Sequence, residues 1–286
     1  MSEKNYKPLT SEEERVIVHK GTETPFTGKY NDFYEDGIYV CKRCQTPLFS
    51  SKDKFSSNSG WPSFDDDLGN VERVPDIDGI RTEIVCKKCK AHLGHVFEGE
   101  GFTPKNTRHC VNSISLDFIP VEKLGYKKAY FAGGCFWGVE DFFDKERGVF
   151  AAHSGYMGGE KENPVYEEVC RGDTGHLETV EVIYDPKETD FETLAKLFFE
   201  IHDPTQTDGQ GPDIGEQYLS AIFYNDEKEK EIALKLIKKL SEKFSKPIAT
   251  KLIPAKEHKF YKAEEYHQDY FRKRGINPCH LKREIW

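Results

Sequence analysis

The pattern of hydrophobic and polar residues along the first 120 residues predicts mostly short β-strands, because no long helical stripe appears after the N-terminal segment and alternation with a period of two occurs, as in half-buried strands. Segment 80–85, with the sequence IRTEIV, shows this alternation clearly. One short helix is predicted at 11–19, capped by Ser11, with Glu14 three residues later in a capping box. Glycine-containing turns separate the predicted strands, which are 37–40, 80–85, 91–97 and 109–118.

After residue 127 the pattern changes, and short apolar strands alternate with helical stripes of apolar residues. Asp190 precedes one stripe and Asn225 precedes a longer one, so each is predicted to cap a helix. Another helix is predicted at 136–147. The predicted strands are 128–132, 177–184, 218–224 and 248–253. Strands that alternate with helices predict an α/β sandwich with βαβ-type units.

A chain of 286 residues has room for two domains, and no internal repeat relates its halves. Segment 120–126 contains proline and glycine and separates the two patterns. We therefore predict an α+β two-domain chain. Residues 1–122 form a mostly antiparallel β domain, 123–127 a linker, and 128–286 the α/β domain.

The composition restricts the class of function. The formal net charge is -9, which argues against a protein that binds nucleic acid phosphates. No apolar stretch of 18 residues occurs and the N-terminus lacks a secretory signal, so no membrane partner is expected. We therefore expect a cytoplasmic protein. In that reducing compartment its eight cysteines are expected to be metal ligands or catalytic thiols.

Two CxxC pairs form the strongest motif of the first half: Cys41 with Cys44, and Cys86 with Cys89. Such pairs can place four thiolates around one Zn²⁺, and the neighbouring Lys and Arg residues favour the thiolate forms. Four reduced core cysteines would not explain the paired spacing. Because four cysteine ligands leave no open coordination position, the predicted Zn²⁺ is structural and not catalytic.

Cys110 is the remaining cysteine of the first half and lies in the sequence RHCVN. On a strand, Arg108 and Asn112 share its face, where a guanidinium lowers the pKa of a thiol and an amide supplies a donor. Donors around one thiol suit attack on an electron-poor centre, although a lone strand cysteine also fits a core position. Further candidates precede Cys110 in the chain: His92 and His95 in HLGHVF offer two imidazole donors, and Trp61 in GWPSF offers an aromatic ring in a loop.

The two CxxC pairs together with GWPSF, HLGHVF and RHCVN resemble the B type of methionine sulfoxide reductase, across roughly residues 5–120. The resemblance implies small antiparallel sheets and selectivity for the R epimer of the sulfoxide. It implies that Cys110 is the nucleophile and that Trp61 packs against the sulfoxide methyl group. The other residues that it places in this site are His92, His95, Arg108 and Asn112.

One position departs from the B-type pattern. Many members of that family carry a second, resolving cysteine two residues before the Trp of GWPSF, where this chain has Ser59. Three routes could then regenerate Cys110: direct attack by an external thiol, donation by a cysteine of the second domain, or use of a zinc ligand. The first is the favoured expectation.

Cys135 lies in the second half, in the sequence GGCFWG between a predicted strand and a predicted helix. The glycines allow a tight turn, and the unpaired N–H groups of a helix start stabilise a thiolate. A partly buried Glu178 could serve as an acid, and Phe136 and Trp137 as an apolar wall. The pattern equally allows a buried cysteine in a glycine-rich turn and a solvated carboxylate.

The motifs GGCFWG, SGYMGG, YEEVCRGDTGHLE, HDPTQ, QGPDIGEQYLSAIF and YHQDYF resemble the A type of methionine sulfoxide reductase, across roughly residues 127–280. The resemblance implies that Cys135 attacks the sulfoxide sulfur, that Glu178 protonates its oxygen, and that the S epimer is selected. It also implies that Phe136 and Trp137 hold the methyl group, that Tyr156 and Tyr218 hydrogen-bond the oxygen, and that Asp213 supports the site.

A resolving thiol is also expected for Cys135, because a sulfenic acid condenses with a nearby thiol to give a disulfide. Cys279, in a tail with Gly and Pro, is the candidate, and Cys170 is expected to be inert. A thioredoxin-type reductant would then reduce the disulfide. The expected substrates are oxidised proteins or free methionine sulfoxide.

Two other functions are possible on the residues alone. A zinc-ribbon binding module joined to a thiol enzyme would leave the HLGHVF and RHCVN motifs without a purpose. A general disulfide oxidoreductase would carry a CxxC beside its reactive thiol, and neither Cys110 nor Cys135 has one. A bifunctional reductase that repairs both epimers of oxidised methionine is therefore the preferred hypothesis.

Overall fold

The computed structural model of the protein describes residues 6–276 and 280–286. It divides into two units, Met1–Leu124 and Gly125–Trp286. The predicted tail cysteine, Cys279, lies outside the described residues. Among the residues that are described, no helix has the length and apolar character needed to cross a membrane.

The first unit consists mainly of β-strands. Its helices are α1 (Ser11–Ile17) and α2 (Val121–Leu124), with 3₁₀ turns at Ser51–Asp53 and Ser113–Ser115. Its strands are β1 (Gly37–Cys41), β2 (Pro47–Ser50), β3 (Lys54–Phe55), β4 (Ser63–Phe64), β5 (Val71–Pro75), β6 (Thr82–Cys86), β7 (His92–Glu98), β8 (Thr107–Val111) and β9 (Leu116–Pro120).

These strands form two antiparallel sheets, with the orders β2-β1-β9 and β3-β4-β8-β7-β6-β5. The predicted antiparallel β fold of this half is thus confirmed. The apolar core contains Tyr39, Phe49 and Phe64, none of which is exposed to solvent. Phe49 and Phe64 stack with their ring centres 4.5 Å apart. Burial of such aromatic rings is a major stabilising term in a small domain.

The strand predicted at 109–118 is wrong, because the chain breaks there and changes sheets. Strand β8 ends at Val111, and β9 begins at Leu116 in the other sheet. Between them, the backbone N–H groups of Ser113 and Ile114 donate to the carboxylate of Glu23 at 2.9 and 2.8 Å. These hydrogen bonds replace ladder bonds and satisfy buried backbone donors.

Two predicted helix caps are displaced by one residue. Thr10, not Ser11, caps α1, and Glu13 completes the capping box. The longer C-terminal helix is capped by Asp226, whose carboxylate accepts from the N–H of Glu229. The predicted cap, Asn225, instead donates its amide to the backbone carbonyl of Lys128. Asp190 caps its helix as predicted.

The second unit alternates strands and helices. Its 3₁₀ turns are Glu216–Tyr218 and Ala255–Glu257, and its helices are α3 (Phe136–Asp144), α4 (Tyr166–Cys170), α5 (Phe191–Ile201), α6 (Glu227–Lys243) and α7 (Tyr270–Arg274). Its strands are β10 (Lys127–Ala132), β11 (Val149–Met157), β12 (Leu177–Tyr184), β13 (Gly209–Gln210), β14 (Asp213–Ile214), β15 (Ala221–Tyr224), β16 (Lys251–Pro254) and β17 (Tyr261–Lys262).

The main sheet has the order β16-β15-β10-β12-β11-β17. Strands β15 and β16 pair in parallel across α6, and β10 and β11, linked by α3, both run antiparallel to β12 between them. Helices therefore connect parallel strands, and the predicted α/β arrangement is confirmed. The helix predicted at 136–147 ends at Asp144, and the strand predicted at 218–224 begins only at Ala221, because Tyr218 ends a 3₁₀ turn.

Helix α3 positions the first candidate residues of this unit. Phe136, Val139 and Phe143 are buried against the sheet, and Phe143 stacks on Phe131 of β10 with ring centres 4.9 Å apart. The carboxylate of Glu140, also buried, accepts from the backbone N–H groups of Ser154 and Asp269. These contacts tie the middle of α3 to strand β11 and to the segment that precedes α7.

Candidate active sites and metal centre

The four cysteines of the CxxC pairs form one cluster, as predicted. Their sulfur atoms all lie within 4.8 Å of one another, with Cys41 and Cys89 at 3.5 Å and Cys44 and Cys86 at 3.6 Å. Zn–S bonds of about 2.3 Å in a tetrahedron place sulfur atoms about 3.8 Å apart. The cluster therefore has the spacing that a tetrahedral metal ion requires.

The two CxxC turns also share one backbone conformation. Gln45 and Lys90, each directly after the second cysteine of a pair, have positive φ angles of 58° and 59°. Their N–H groups donate to the carbonyls of Cys41 and Cys86, in both cases at 2.8 Å. Two matching turns that converge on one point fit a closed four-thiolate site, which can hold a metal ion but leaves no position for substrate.

Cys110 lies on β8, between two strands that present polar side chains beside it. Across the ladder it is paired with His95 on β7 and with Ser63 on β4. Cross-strand partners lie on the same face of a sheet. Its sulfur is 4.0 Å from the hydroxyl of Ser59, which belongs to a chain of serine hydroxyls with Ser57. The thiol is half-buried and not sealed in the core.

Burial and charge act on Cys110 in opposite directions. Burial raises the pKa of the thiol, whereas the Arg108 guanidinium and the Ser59 hydroxyl lower it, and the net pKa lies above its usual range. Arg108 thus lowers the pKa of Cys110 as expected, but the effect of burial is larger. Arg108 is itself buried and held by two hydrogen bonds to Glu100, at 2.7 and 3.0 Å.

The two histidines of HLGHVF are each oriented by a carboxylate. Nδ1 of His92 lies 2.7 Å from Glu83, and Nε2 of His95 lies 2.6 Å from Asp76. Burial lowers the pKa of His92, against the opposite effect of Glu83, so His92 is neutral near pH 7. The two imidazole rings lie 5.7 Å apart and near-perpendicular. This arrangement gives a rigid pair of imidazoles on the strand next to Cys110.

Trp61 and Asn112 are both anchored to Glu23, a residue that the sequence did not single out. The indole N–H of Trp61 donates to the Glu23 carbonyl at 3.1 Å, and the Asn112 side chain accepts from the Glu23 N–H at 3.0 Å. The amide of Asn112 also donates to the carbonyl of Leu93. The Asn112 side chain thus braces the loops around the site. A cavity of about 210 Å³ lies against Trp61, lined in part by Phe26, Phe55 and Ser57.

In the second unit, Cys135 is the residue at which α3 begins. Its carbonyl accepts from the N–H of Gly138, and its thiol is half-buried. Glu178, almost fully buried on β12, accepts from the N–H of Phe136 at 3.0 Å. The predicted acid and the predicted nucleophile therefore meet at the first turn of one helix, whose dipole favours the thiolate form of Cys135.

Aromatic side chains enclose this position. The ring of Phe136 lies 5.8 Å from Tyr156 and 6.2 Å from Trp137. Trp137 stacks on Tyr270 at 3.6 Å with ring planes 6° apart, and its indole N–H donates to Nδ1 of His267. Phe136 and Trp137 therefore belong to an aromatic cluster that directly follows Cys135 in the chain.

The predicted tyrosines also gather around Glu178. Tyr156 is its cross-strand partner on β11, and burial together with the nearby carboxylates raises the pKa of Tyr156. Burial and the Glu178 charge likewise raise the pKa of Tyr218. Both phenols are therefore protonated near neutral pH, and the Tyr156 hydroxyl donates its one hydrogen to the carboxylate of Glu264 at 3.0 Å. Asp213 lies on β14 nearby in the chain, and Cys170 is exposed at the end of α4.

The described end of the tail also reaches this site. Nε2 of His280 lies 3.0 Å from the carbonyl of Gly133. A Cβ atom on Gly138 would lie 2.0 Å from Nδ1 of His280, and one on Gly134 would lie 3.6 Å from its Nε2. The glycines of GGCFWG thus leave room for the tail beside Cys135.

Sequence reasoning missed the residues that hold the predicted side chains in place. They act through hydrogen bonds to positions between 8 and 147 residues away, on other strands, helices or loops, and no local pattern reveals these pairings. The motifs HLGHVF and YHQDYF are visible in the sequence, but the partners of their side chains are not. The missed residues are Glu23, Asp76, Glu83, Glu100, Glu264, His267 and His280.

One thiol lies at a helix start beside a buried carboxyl, and a second lies on a strand beside an arginine and two imidazoles. This arrangement fits the class that the sequence predicts, a thiol-dependent reductase with two sites. The family model for peptide methionine sulfoxide reductase matches residues 127–285, more than half of the chain, and the model for the SelR domain matches residues 9–120. The chain belongs to the peptide methionine sulfoxide reductase family, with a SelR domain before the reductase domain. The resemblance found in the sequence is thereby confirmed.

The second unit has relatives among the curated peptide methionine sulfoxide reductases MsrA. A peptide methionine sulfoxide reductase MsrA of Methanosarcina acetivorans is 45% identical over 179 residues, which cover 62% of this chain and 94% of the relative. One from Methanothermobacter thermautotrophicus is 49% identical over 160 residues, covering 55% of this chain and 94% of the relative.

Two solved structures resemble the same unit. Mxr1 of Saccharomyces cerevisiae in its reduced form matches with a TM-score of 0.51 at 38% identity, covering 56% of this chain and 93% of that one. Methionine sulfoxide reductase A of Corynebacterium diphtheriae matches with a TM-score of 0.50 at 37% identity, covering 54% and 78%. The chain is thus a methionine sulfoxide reductase with an A-type and a B-type domain.

Proposed function

We propose that the Cys135 site reduces the S epimer of methionine sulfoxide. The Cys135 thiolate attacks the sulfoxide sulfur while Glu178 gives its proton to the oxygen, which makes that oxygen a leaving group. The oxygen takes a second proton from solvent and leaves as water, while the bond between the Cys135 sulfur and the substrate sulfur remains. A water molecule then attacks the Cys135 sulfur, that sulfur–sulfur bond breaks and the thioether departs. Cys135 is left as a sulfenic acid, and one proton is released. The observation that carries this proposal is the hydrogen bond from Phe136 to Glu178 at the start of α3.

The second thiol is proposed to reduce the R epimer. Cys110 attacks in the same way, with Arg108 favouring its thiolate and His92 and His95 as the donors nearest along the sheet. The indole of Trp61 packs against the methyl group of the sulfoxide. Asn112 supports this site by bracing the loop that holds Trp61, since its side chain bonds to the backbone.

The metal ion of the four-cysteine cluster is proposed to be Zn²⁺ in a structural role. Support comes from the ligand set, four thiolates, and from the two matching turns that present them. When bound, the ion would neutralise the thiolates and clamp β1 to β6. No chemical step passes through it.

Cys279 is proposed to resolve the Cys135 sulfenic acid. Its thiol would displace water from Cys135 to form a disulfide, which a thioredoxin-type dithiol would reduce. Support comes from the adjacent His280, which bonds to Gly133 two residues before Cys135. Substrates are oxidised proteins or free methionine sulfoxide, and we place the enzyme in the cytoplasm, where such reductants occur.

Cys110 is proposed to be regenerated by direct attack of an external thiol on its sulfenic acid. Ser59, which lies beside its sulfur, cannot form a disulfide. The four other cysteines of this unit are gathered in the metal cluster. This route needs two thiols from the reductant and releases one water per sulfoxide.

Single-turnover stoichiometry tests whether Cys135 reduces the S epimer and Cys110 the R epimer. The reduced protein, freed of external thiol, is mixed with an excess of one pure epimer, and methionine is counted. One methionine per chain is expected with each epimer, together with dimedone-reactive Cys110 after the R epimer only. No methionine from either epimer would overturn the proposed function.

A further inference from the structure

The carboxylate of Glu264 connects two elements of the Cys135 site. Its Oε2 accepts from the Tyr156 hydroxyl at 3.0 Å, and its Oε1 accepts from the backbone N–H of Tyr166 at 2.9 Å. Tyr156 lies on β11 and Tyr166 begins α4, so one side chain joins strand and helix. Both rings contact Phe136, the residue after Cys135.

Glu264 can only be the acceptor in these contacts. Burial would raise its pKa, but the hydrogen bonds from Tyr166 and Tyr156 outweigh that effect and leave the pKa below its usual value. An ionised carboxylate has no proton to donate, so the single phenolic hydrogen of Tyr156 points to Glu264. The direction of that hydrogen bond fixes the rotation of the phenol.

His267 holds the other wall of the same site. An indole N–H is only a donor, so Nδ1 of His267 must accept from Trp137, at 2.9 Å, and the ring proton must be on Nε2. Burial lowers the pKa of His267, consistent with a neutral ring. His267 is 1% exposed. Its Nε2 has no hydrogen-bond partner among the described residues and lies 3.9 Å from Glu264.

Together these contacts form a chain from Trp137 through His267 and Glu264 to Tyr156. It links the residue expected to hold the methyl group with the phenol expected to face the sulfoxide oxygen. We propose that Glu264 and His267 are positioning residues, an inference that rests on the proposed function of the Cys135 site. Glu264 orients the Tyr156 phenol for the chemical step, and His267 orients the Trp137 indole for substrate binding.

The test uses the full chain and steady-state kinetics on the S epimer. Glu264→Gln leaves one acceptor oxygen for the two hydrogen bonds from Tyr156 and Tyr166. It should lower kcat about tenfold or more with little change in KM. In a Tyr156→Phe background the same change should have an effect below about twofold, because the phenol that Glu264 holds is gone. Glu265→Gln, at an exposed neighbouring position, is the matched control.

His267→Phe should instead raise KM about tenfold with a smaller effect on kcat. His267→Asn, whose side-chain oxygen can stand near the Nδ1 position, should recover most of the loss. Independently of activity, the Trp137 indole N–H resonance, assigned from Trp137→Phe, should shift upfield in His267→Phe and return in His267→Asn. If His267→Phe does not fold, His267→Gln replaces it, and its KM and Trp137 resonance are compared with those of His267→Asn.

Three results would overturn the inference: wild-type kcat in Glu264→Gln, additive effects of Glu264→Gln and Tyr156→Phe, or an unchanged Trp137 resonance in His267→Phe. Each presupposes a wild-type chain that reduces the S epimer. A wild-type chain without that activity would contradict the proposed function itself, so the two failures are distinguishable.

Discussion

Two opposing effects act on the pKa of Cys110: burial disfavours its thiolate, and the Arg108 guanidinium favours it. Arg108 is fixed by Glu100, so its charge stays in place as substrate enters. The raised pKa means that most Cys110 is protonated near neutral pH. The R-epimer site should therefore be less reactive toward general alkylating agents than a cysteine with a low pKa.

Alkylation of Cys110 by iodoacetamide is expected to accelerate about tenfold per pH unit between pH 6 and 8, because the thiolate fraction rises tenfold per unit below the pKa. Arg108→Met should slow the reaction at each pH, since the remaining effect of burial raises the pKa further. Peptide mass spectrometry measures the rate, with Arg73→Met, an exposed arginine, as control. A rate that is constant across this range would contradict the raised pKa.

Ser59 tests the route by which Cys110 is regenerated. Its hydroxyl is 4.0 Å from the Cys110 sulfur, so a small side-chain movement would bring a sulfur at that position to the S–S bond length of about 2.05 Å. A Ser59→Cys protein should therefore form a disulfide between the introduced thiol and Cys110 after one R-epimer turnover. Thiol titration and non-reducing mass spectrometry measure it. In the wild type, a disulfide between Cys110 and a cysteine of the metal cluster would exclude direct attack by an external thiol.

At the scale of elements, helix α3 brings the parts of the second site together. The helix begins at Cys135, and the backbone N–H of Phe136 in its first turn donates to Glu178. Gly138 has no side chain, so the His280 imidazole of the tail can pack against it. The sequence predicted this helix start correctly because the glycines and the apolar stripe are local signals. It could not predict the break at Ser113, because the carboxylate responsible, Glu23, lies 90 residues away.

Gly138→Ala is expected to loosen the tail, since its new Cβ would collide with the His280 imidazole. Formation of the Cys135–Cys279 disulfide should slow at least about fivefold, while release of the first methionine changes less than about twofold. Rapid-quench mass spectrometry follows both steps. His280→Ala should reproduce the effect and Glu284→Ala should not. Equal slowing of both steps would show that the substitution damages the site itself.

At the scale of the whole molecule, the chain divides into two units, each with its own core and its own thiol site. The sequence predicted both fold types and the residues of the motifs. It did not reveal the carboxylates that orient them, such as Glu83 and Glu264, because such pairings depend on the complete fold. The boundary predicted at 123–127 stays a prediction.

Removal of the metal ion should act on one unit only. Chelation is expected to unfold the strands of residues 6–120, because four unpaired thiolates in one cluster repel each other and the clamp between β1 and β6 is lost. Residues 127–276 should keep their protection from hydrogen exchange, and S-epimer activity should persist. Exchange mass spectrometry before and after chelation measures both. A first unit that remains protected would argue against a structural metal ion.

Epimer-resolved kinetics of two single-cysteine variants test the central claim most directly. Cys110→Ser should lose R-epimer reduction by at least about a thousandfold and retain S-epimer reduction, and Cys135→Ser should show the reverse, because each sulfur nucleophile serves one site. If either variant loses both activities, or keeps the activity assigned to the missing thiol, two independent sulfur nucleophiles on one chain cannot be the basis of its function.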